Sequence, residues 1–200
     1  MTQEDGFPSR RRILASGSLA ATSLVLAMGT SSRPSLAATP ACHDGDEPTL
    51  PETEGPYFKP GSPNRGDLRE KGIGGRPVEL SGLVLARSCR PVAGALVDLW
   101  HADSKGDYDN KGLRLRGHVF TGPDGRYSFR TIMPGLYPGR TRHYHVKVQA
   151  PRRSVLTTQF YFPNEDRNGA DDLFRRELVM RVATTKDALL ASFDVVLALA

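Results

Sequence analysis

Cysteine is nearly absent. Only Cys42 and Cys89 occur in 200 residues, with no second pair near either, which argues against a cysteine-built metal site. Long apolar runs are also missing. The one sustained apolar stretch, residues 13–28, is 16 residues long, short of the roughly 20 that a membrane-crossing helix needs. Blocks of like charge are missing beyond Arg10-Arg11-Arg12, so the clustered basic footprint of a nucleic-acid binder is not there. There is no Gly-x-Ser-x-Gly elbow, no His-Glu metalloprotease motif, no P-loop and no internal repeat. What remains is a chain of 38% hydrophobic and 8% aromatic residues, enough for one packed domain.

The amino terminus reads as an address. Ser9-Arg10-Arg11-Arg12-Ile13-Leu14 has a twin-arginine pattern, residues 13–28 form an apolar stretch, and Ser35-Leu36-Ala37 offers small residues to a signal peptidase. We therefore expect residues 1–37 to direct export by the twin-arginine route, to periplasm or medium, with no membrane attachment after cleavage. That route carries folded proteins and suits a client that loads a metal first. Removing residues 1–37 takes away four positive and two negative charges and lowers the formal net charge from +5 to +3. A mild positive excess is compatible with an anionic small-molecule partner. In an oxidising compartment Cys42 and Cys89 would pair or remain two free thiols. A disulfide there would close a loop of nearly fifty residues, worth about a few kcal/mol.

Residues 38–76 are rich in proline, glycine and charge and read as an extended arm. Strand-like runs follow at 78–85, 95–100, 117–121, 126–131, 143–149, 156–162, 177–183 and 192–197. Turn signals such as Gly122-Pro123-Asp124-Gly125 separate them. The expected fold is all-β: an antiparallel sandwich of about eight strands over residues 77–200. One short helix is expected near 169–177, with Asp171 and Asp172 as first-turn acids.

Chemistry concentrates in Arg142-His143-Tyr144-His145-Val146-Lys147-Val148. A strand alternates its side chains, so His143 and His145 share one face, about 7 Å apart along the backbone, and Tyr144 takes the other. Two imidazoles so placed either converge on one metal or form a surface pair. A cupin would need a glutamate just downstream, where Val148, Gln149 and Ala150 stand. A copper–zinc dismutase would need further histidines at spacings that His43, His101 and His118 do not have. Tyr108 and Tyr137 each follow an apolar strand, where loops present functional groups, although a tyrosine there also commonly caps the core.

Five motifs occur in order: Thr53-Glu54-Gly55-Pro56-Tyr57-Phe58; W-H-A-D-x-x-G-x-Y ending at Tyr108; G-R-Y-S-F-R-T-I-x-P-G-x-Y ending at Tyr137; His143-x-His145; and Gln159-Phe160-Tyr161-Phe162. Together, over residues 50–198, they make the chain resemble the intradiol ring-cleavage dioxygenases, the family of catechol 1,2- and protocatechuate 3,4-dioxygenases. The resemblance implies a non-haem Fe(III) held by Tyr108, Tyr137, His143 and His145. It implies Arg140 as the arginine facing the substrate's developing negative charge, with Arg142 as the substitute because the segment from Tyr137 to His143 is short. Gln159 would stand near that arginine, Tyr137 would double as an internal base, and Tyr57 would line the substrate mouth. The partners implied are a catechol-type small molecule and O2, with a homo-oligomer left open. The chain has no helical dimerisation domain of the catechol 1,2-dioxygenase kind, and Tyr144 stands where an aliphatic residue is usual. A rival reading remains: residues 82–135 also resemble a transthyretin-like or carboxypeptidase-regulatory module, which binds surfaces or carbohydrate and holds no metal.

Overall fold

The computed structural model describes residues 47–199. The expected leader and Cys42 lie outside the described residues. Cys89 is disulfide-bonded. Among the described residues no helix is long and apolar enough to cross a membrane.

Alternation of apolar and polar residues builds two sheets. Strand β1 (Pro77–Ala86) buries Val78, Leu80 and Val84, and β4 (Arg126–Ile132) buries Tyr127 and Phe129 between exposed arginines. These two pair antiparallel from Pro77↔Ile132 to Leu83↔Arg126. Strands β7 (Arg181–Thr184), β8 (Leu189–Ser192) and β9 (Val195–Leu197) complete this sheet, in the order β4-β1-β8-β7 with β9 also on β1. The second sheet runs β3-β2-β5-β6, built from β2 (Leu96–Trp100), β3 (Arg116–Phe120), β5 (His143–Gln149) and β6 (Val155–Tyr161). Between the sheets lies the core, including Leu80, Phe129, Val97, Leu99, Val146, Val148 and Phe160.

The all-β sandwich is as expected; three details differ. First, β1 pairs in parallel with β8 and β9, so the sheet is mixed rather than wholly antiparallel. The return after β6 is long, and such an excursion lets the chain re-enter alongside β1 in the same direction. Second, the expected strand at 192–197 is interrupted. β8 ends at Ser192, β9 begins at Val195, and the Asp194 carboxylate accepts the Leu83 N–H (2.8 Å) where the ladder breaks. Third, no α-helix forms near 169–177. Two 3-10 turns, Asp166–Ala170 and Arg176–Leu178, flank an extended link, and Asp171 follows the first turn instead of opening a helix. Its carboxylate is committed elsewhere, as described below.

Residues 47–76 contain no strand but are not loose. The Glu52 N–H donates to Thr157 O on β6 (2.8 Å), Glu54 pairs with Lys147 on β5, and Phe58 packs edge-on against Trp100 on β2 (4.9 Å). The chain then bridges His118 on β3 from Asn64 and reaches β4, where the Leu68 N–H donates to Arg130 O (2.8 Å). Leu68 itself is fully buried. The segment thus crosses the four-stranded sheet strand by strand on the face away from the core, and that face becomes a second interior.

Candidate metal centre

Strand alternation puts His143 and His145 on this covered outer face. Tyr144, between them, faces the core, is fully buried, and donates its hydroxyl to Ile132 O (3.0 Å). The two imidazoles lean together until their Nε2 atoms are 3.1 Å apart. His143 Nδ1 lies 2.7 Å from Thr141 O, a carbonyl that can only accept; Nδ1 therefore carries the proton and Nε2 presents its lone pair inward. His145 is clamped flat against Trp100, with centroids 5.0 Å apart and planes within 8°. Gly55 also abuts the ring: an added Cβ there would lie 3.2 Å from the imidazole Cε1, and its φ is +70°. Burial pushes the His143 pKa down to about 4, with the Arg140 charge adding to the effect. Burial also holds His145 well below its ordinary value. Both rings are neutral donors at physiological pH.

The tyrosines arrive on two loops locked back to back. The Gly135 N–H donates to Asp103 O (2.7 Å). A Cβ on Gly106 would lie 2.3 Å from Leu136 O, and one on Gly135 would lie 2.4 Å from Gly106 N. Only glycine at both places allows this approach. It sets Tyr108 and Tyr137 side by side, ring centroids 5.9 Å apart and edge-on. Tyr57, from the covering arm, stacks on Tyr108 (4.5 Å), and its hydroxyl hydrogen-bonds that of Tyr137 (2.9 Å). The Tyr108 ring is 6.0 Å from that of His145. Burial raises the Tyr108 pKa, opposed by the charges of Arg140 and Arg116.

Arg140 sits beside the histidines. Its Nε donates to both Asp171 oxygens (3.0 and 2.9 Å) and its Nη2 to Gln159 Oε1 (2.6 Å). Gln159 is held in turn by Thr53 O and by the Tyr161 hydroxyl. Arg142 points elsewhere, donating to Pro134 O and pairing with Glu165. Of the two arginines, Arg140 therefore shares the histidine side. Asp171 is the residue that sequence reasoning missed. Burial works against its ionisation, but the Thr141 N–H and Arg140 outweigh that and hold its pKa low. An acidic residue in a loop carries no local signal that its partner lies 31 positions upstream. His101, the remaining buried histidine of the motifs, bonds Thr131 and packs edge-on against Tyr144.

Does this cluster suit a metal? Among the described residues no three His, Cys, Asp or Glu side chains are grouped to hold one, so the two histidines extend into a larger donor set only through phenolic oxygens. Two nitrogens 3.1 Å apart match neighbouring ligands at right angles on one ion, given metal–nitrogen bonds of about 2.1 Å. Buried neutral imidazoles with phenols alongside form a hard, partly anionic donor set that suits a ferric ion. A recess of about 570 Å³ between Ala86, Arg90, Ala150 and Leu199 has none of these histidines or tyrosines in its lining.

Comparison with known proteins covers the same stretch of chain. A dioxygenase family profile matches residues 53–199. The chain is 32% identical over 165 residues to hydroxyquinol 1,2-dioxygenase of Nocardioides simplex, covering 70% of this chain and 53% of that protein. It is 33% identical over 147 residues to catechol 1,2-dioxygenase 1 of Acinetobacter lwoffii, covering 58% and 47%. Among solved structures, the dioxygenase domain of a dioxygenase–carbohydrate-binding protein fusion from Streptomyces sp. SirexAA-E aligns with a TM-score of 0.75 at 52% identity, covering 77% of this chain and all of that one. The 3-chlorocatechol 1,2-dioxygenase of Rhodococcus opacus 1CP aligns with a TM-score of 0.69 at 25% identity, covering 74% and 72%. The chain belongs to the intradiol ring-cleavage dioxygenase family. It spans about half the length of the curated relatives it matches. Family membership sets aside the transthyretin-like reading of residues 82–135.

Proposed function

We propose that this chain is an Fe(III)-dependent enzyme that cleaves a catechol-type ring between its two hydroxylated carbons with O2, yielding a cis,cis-muconate-type diacid. The observation that carries the reading is the meeting of Tyr108 and Tyr137, on two glycine-locked loops, with the paired imidazoles of His143 and His145. Those four side chains would hold the metal. Bound there, ferric iron would supply the Lewis acidity that keeps phenols ionised and draws in both oxygens of a catechol.

The chain's own residues define the rest. Tyr137 is the proton acceptor for a substrate hydroxyl, and Tyr57, already bonded to its oxygen, steadies the resulting phenol. Arg140 places a fixed positive charge beside the ring, where negative charge grows as the ring ketonises. Asp171 and Gln159 stop that guanidinium from swinging away. Gly55 and Trp100 fix the plane of His145. The covering arm keeps bulk water off this face. Export by the twin-arginine route is part of the proposal, as is aromatic-compound catabolism.

The test is direct. The purified mature chain should contain one iron per chain and a broad visible band. In air, catechol, protocatechuate or hydroxyquinol should drive equal oxygen uptake and growth of diene-diacid absorbance. A colourless chain inert to all three would sink the reading.

A further inference from the structure

The covered face of the four-stranded sheet carries two polar rows, since directly opposed residues in an antiparallel ladder share a face. The first crosses β3, β2, β5 and β6 through Arg116, Trp100, His145 and Gln159. It holds the buried side-chain nitrogens that lack a hydrogen-bond partner among the described residues: Arg116 Nε and Nη1, Trp100 Nε1 and His145 Nδ1. The second row, two residues along each strand, is His118, Asp98, Lys147 and Thr157. This second row is where the arm sits down. At one end Thr157 O accepts the Glu52 N–H (2.8 Å), and at the other the Ser62 hydroxyl lies 3.1 Å from His118 Nδ1.

Between those anchors the arm is held by side chains. From Glu54 to Gly61, among the described residues, no main-chain group hydrogen-bonds the sheet; the Gly55 N–H turns back on Thr53 Oγ1 (3.2 Å). Lys59 ties the far end to the carbonyls of Asn110 and Gly112 (3.4 and 2.8 Å). On the sheet itself the grip comes from Lys147. Its ammonium pairs with Glu54 before the Pro56-Tyr57 turn and lies 3.7 Å from the Phe58 ring centroid after it. The Lys147 side chain is only 19% exposed, and a cation over a ring attracts more strongly when partly shielded from water. The turn so gripped carries the two arm residues that reach the site. Gly55 abuts the His145 imidazole, and the Tyr57 hydroxyl bonds that of Tyr137. Phe58 meets Trp100 edge-on, and Trp100 stacks on His145.

We infer that Lys147 is a positioning residue: by holding Glu54 and Phe58 it seats the intervening turn, and so keeps the Tyr57 hydroxyl on that of Tyr137. This inference rests on the proposed reading of the site, in which Tyr137 accepts the substrate's proton and Tyr57 steadies the resulting phenol. Lys147 touches neither metal nor substrate in this role. It acts through the arm.

The test measures kcat and KM with catechol, alongside iron content, for the native chain, Lys147→Met, Lys147→Arg, Tyr57→Phe and the double variant Lys147→Met/Tyr57→Phe. Lys147→Met keeps the hydrocarbon stem and loses the charge. Its iron content should match the native chain, because none of the four donors is altered. Its kcat should fall about 2- to 30-fold, the factor by which a cation over a ring shifts an equilibrium, with KM little changed. Lys147→Arg keeps a cation for both the ring and the carboxylate and should restore most of the turnover. In the Tyr57→Phe chain, Lys147→Met should cost no further turnover, because the hydroxyl that the seat positions is already gone. Phe58→Leu removes the ring while leaving every charge, and carries the same test should Lys147→Met not fold; it should lose turnover in the native chain and not in the Tyr57→Phe chain. A native chain that is inert to catechols overturns the proposed function and this inference with it. An active native chain whose Lys147→Met and Phe58→Leu variants keep the native kcat overturns the inference alone. So does a double variant whose loss is the product of the two single losses, since Lys147 would then act by some route other than Tyr57.

Discussion

The two faces of the four-stranded sheet are made by the same strands and obey different rules. In β5, Tyr144, Val146 and Val148 face the core while His143, His145 and Lys147 face the covering arm. The inner face is held by apolar area and close packing, and is indifferent to charge. The outer face is nearly as dry around its histidines, yet it buries imidazole, guanidinium and indole nitrogens without full partners. A protein tolerates such unsatisfied groups where they serve a ligand. The difference teaches that burial alone does not define a core, and that the arm turns one side of a sheet into a chemical site.

The strongest way to break this comparison is to remove an outer-face donor. His145→Ala or Tyr108→Phe should abolish the iron content and the visible band while the metal-free fold survives, checked by metal analysis and circular dichroism. Next, Arg140→Met should lower turnover about 10²- to 10³-fold with iron content unchanged; a parallel loss of iron would instead make Arg140 part of the metal shell. On the inner face, Leu99→Ala should cost about 2–5 kcal/mol of unfolding free energy, read by denaturant titration, and leave the band of the folded fraction where it was.

pH should separate the faces too. Burial depresses the folded pKa of His143 to about 4, below the unfolded value of about 6.5. The unfolded chain therefore binds protons first. Stability from the neutral ring is complete above pH ~6.5 and is lost as pH falls toward 4. Metal-free protein should weaken over that window by roughly a few kcal/mol, and His143→Ala should flatten the slope. His101, also buried with its pKa down to about 4, contributes in the same direction and must be varied alongside. The smallest effect is at the arm's edge: Glu54, 44% exposed, pairs with Lys147, and Glu54→Gln should change stability by about 0–1 kcal/mol.

Much of the site was legible in the chain. The period-2 spacing of His143 and His145 placed both on one face, and Tyr108 and Tyr137 each stood in a loop after an apolar strand. Alternating apolar residues located most strands. Three things were not legible. Asp171 read as the opening of a helix because first-turn acids and loop acids look alike, whereas its bonds go to Arg140 and Thr141. The parallel pairing of β1 with β8 and β9 depends on how a long return is routed. The unsatisfied state of Arg116 depends on who its neighbours are, which no local pattern states.

By itself the sequence determined which positions carry imidazole and phenol groups and which face of a strand the two histidines take, because side-chain chemistry and the two-residue repeat of a strand are local. Only the tertiary structure decided that the arm covers the outer face, that two loops meet glycine to glycine, and which arginine stands beside the imidazoles. Those outcomes belong to contacts between residues tens of positions apart, where the free energy of packing rather than any neighbouring residue makes the choice.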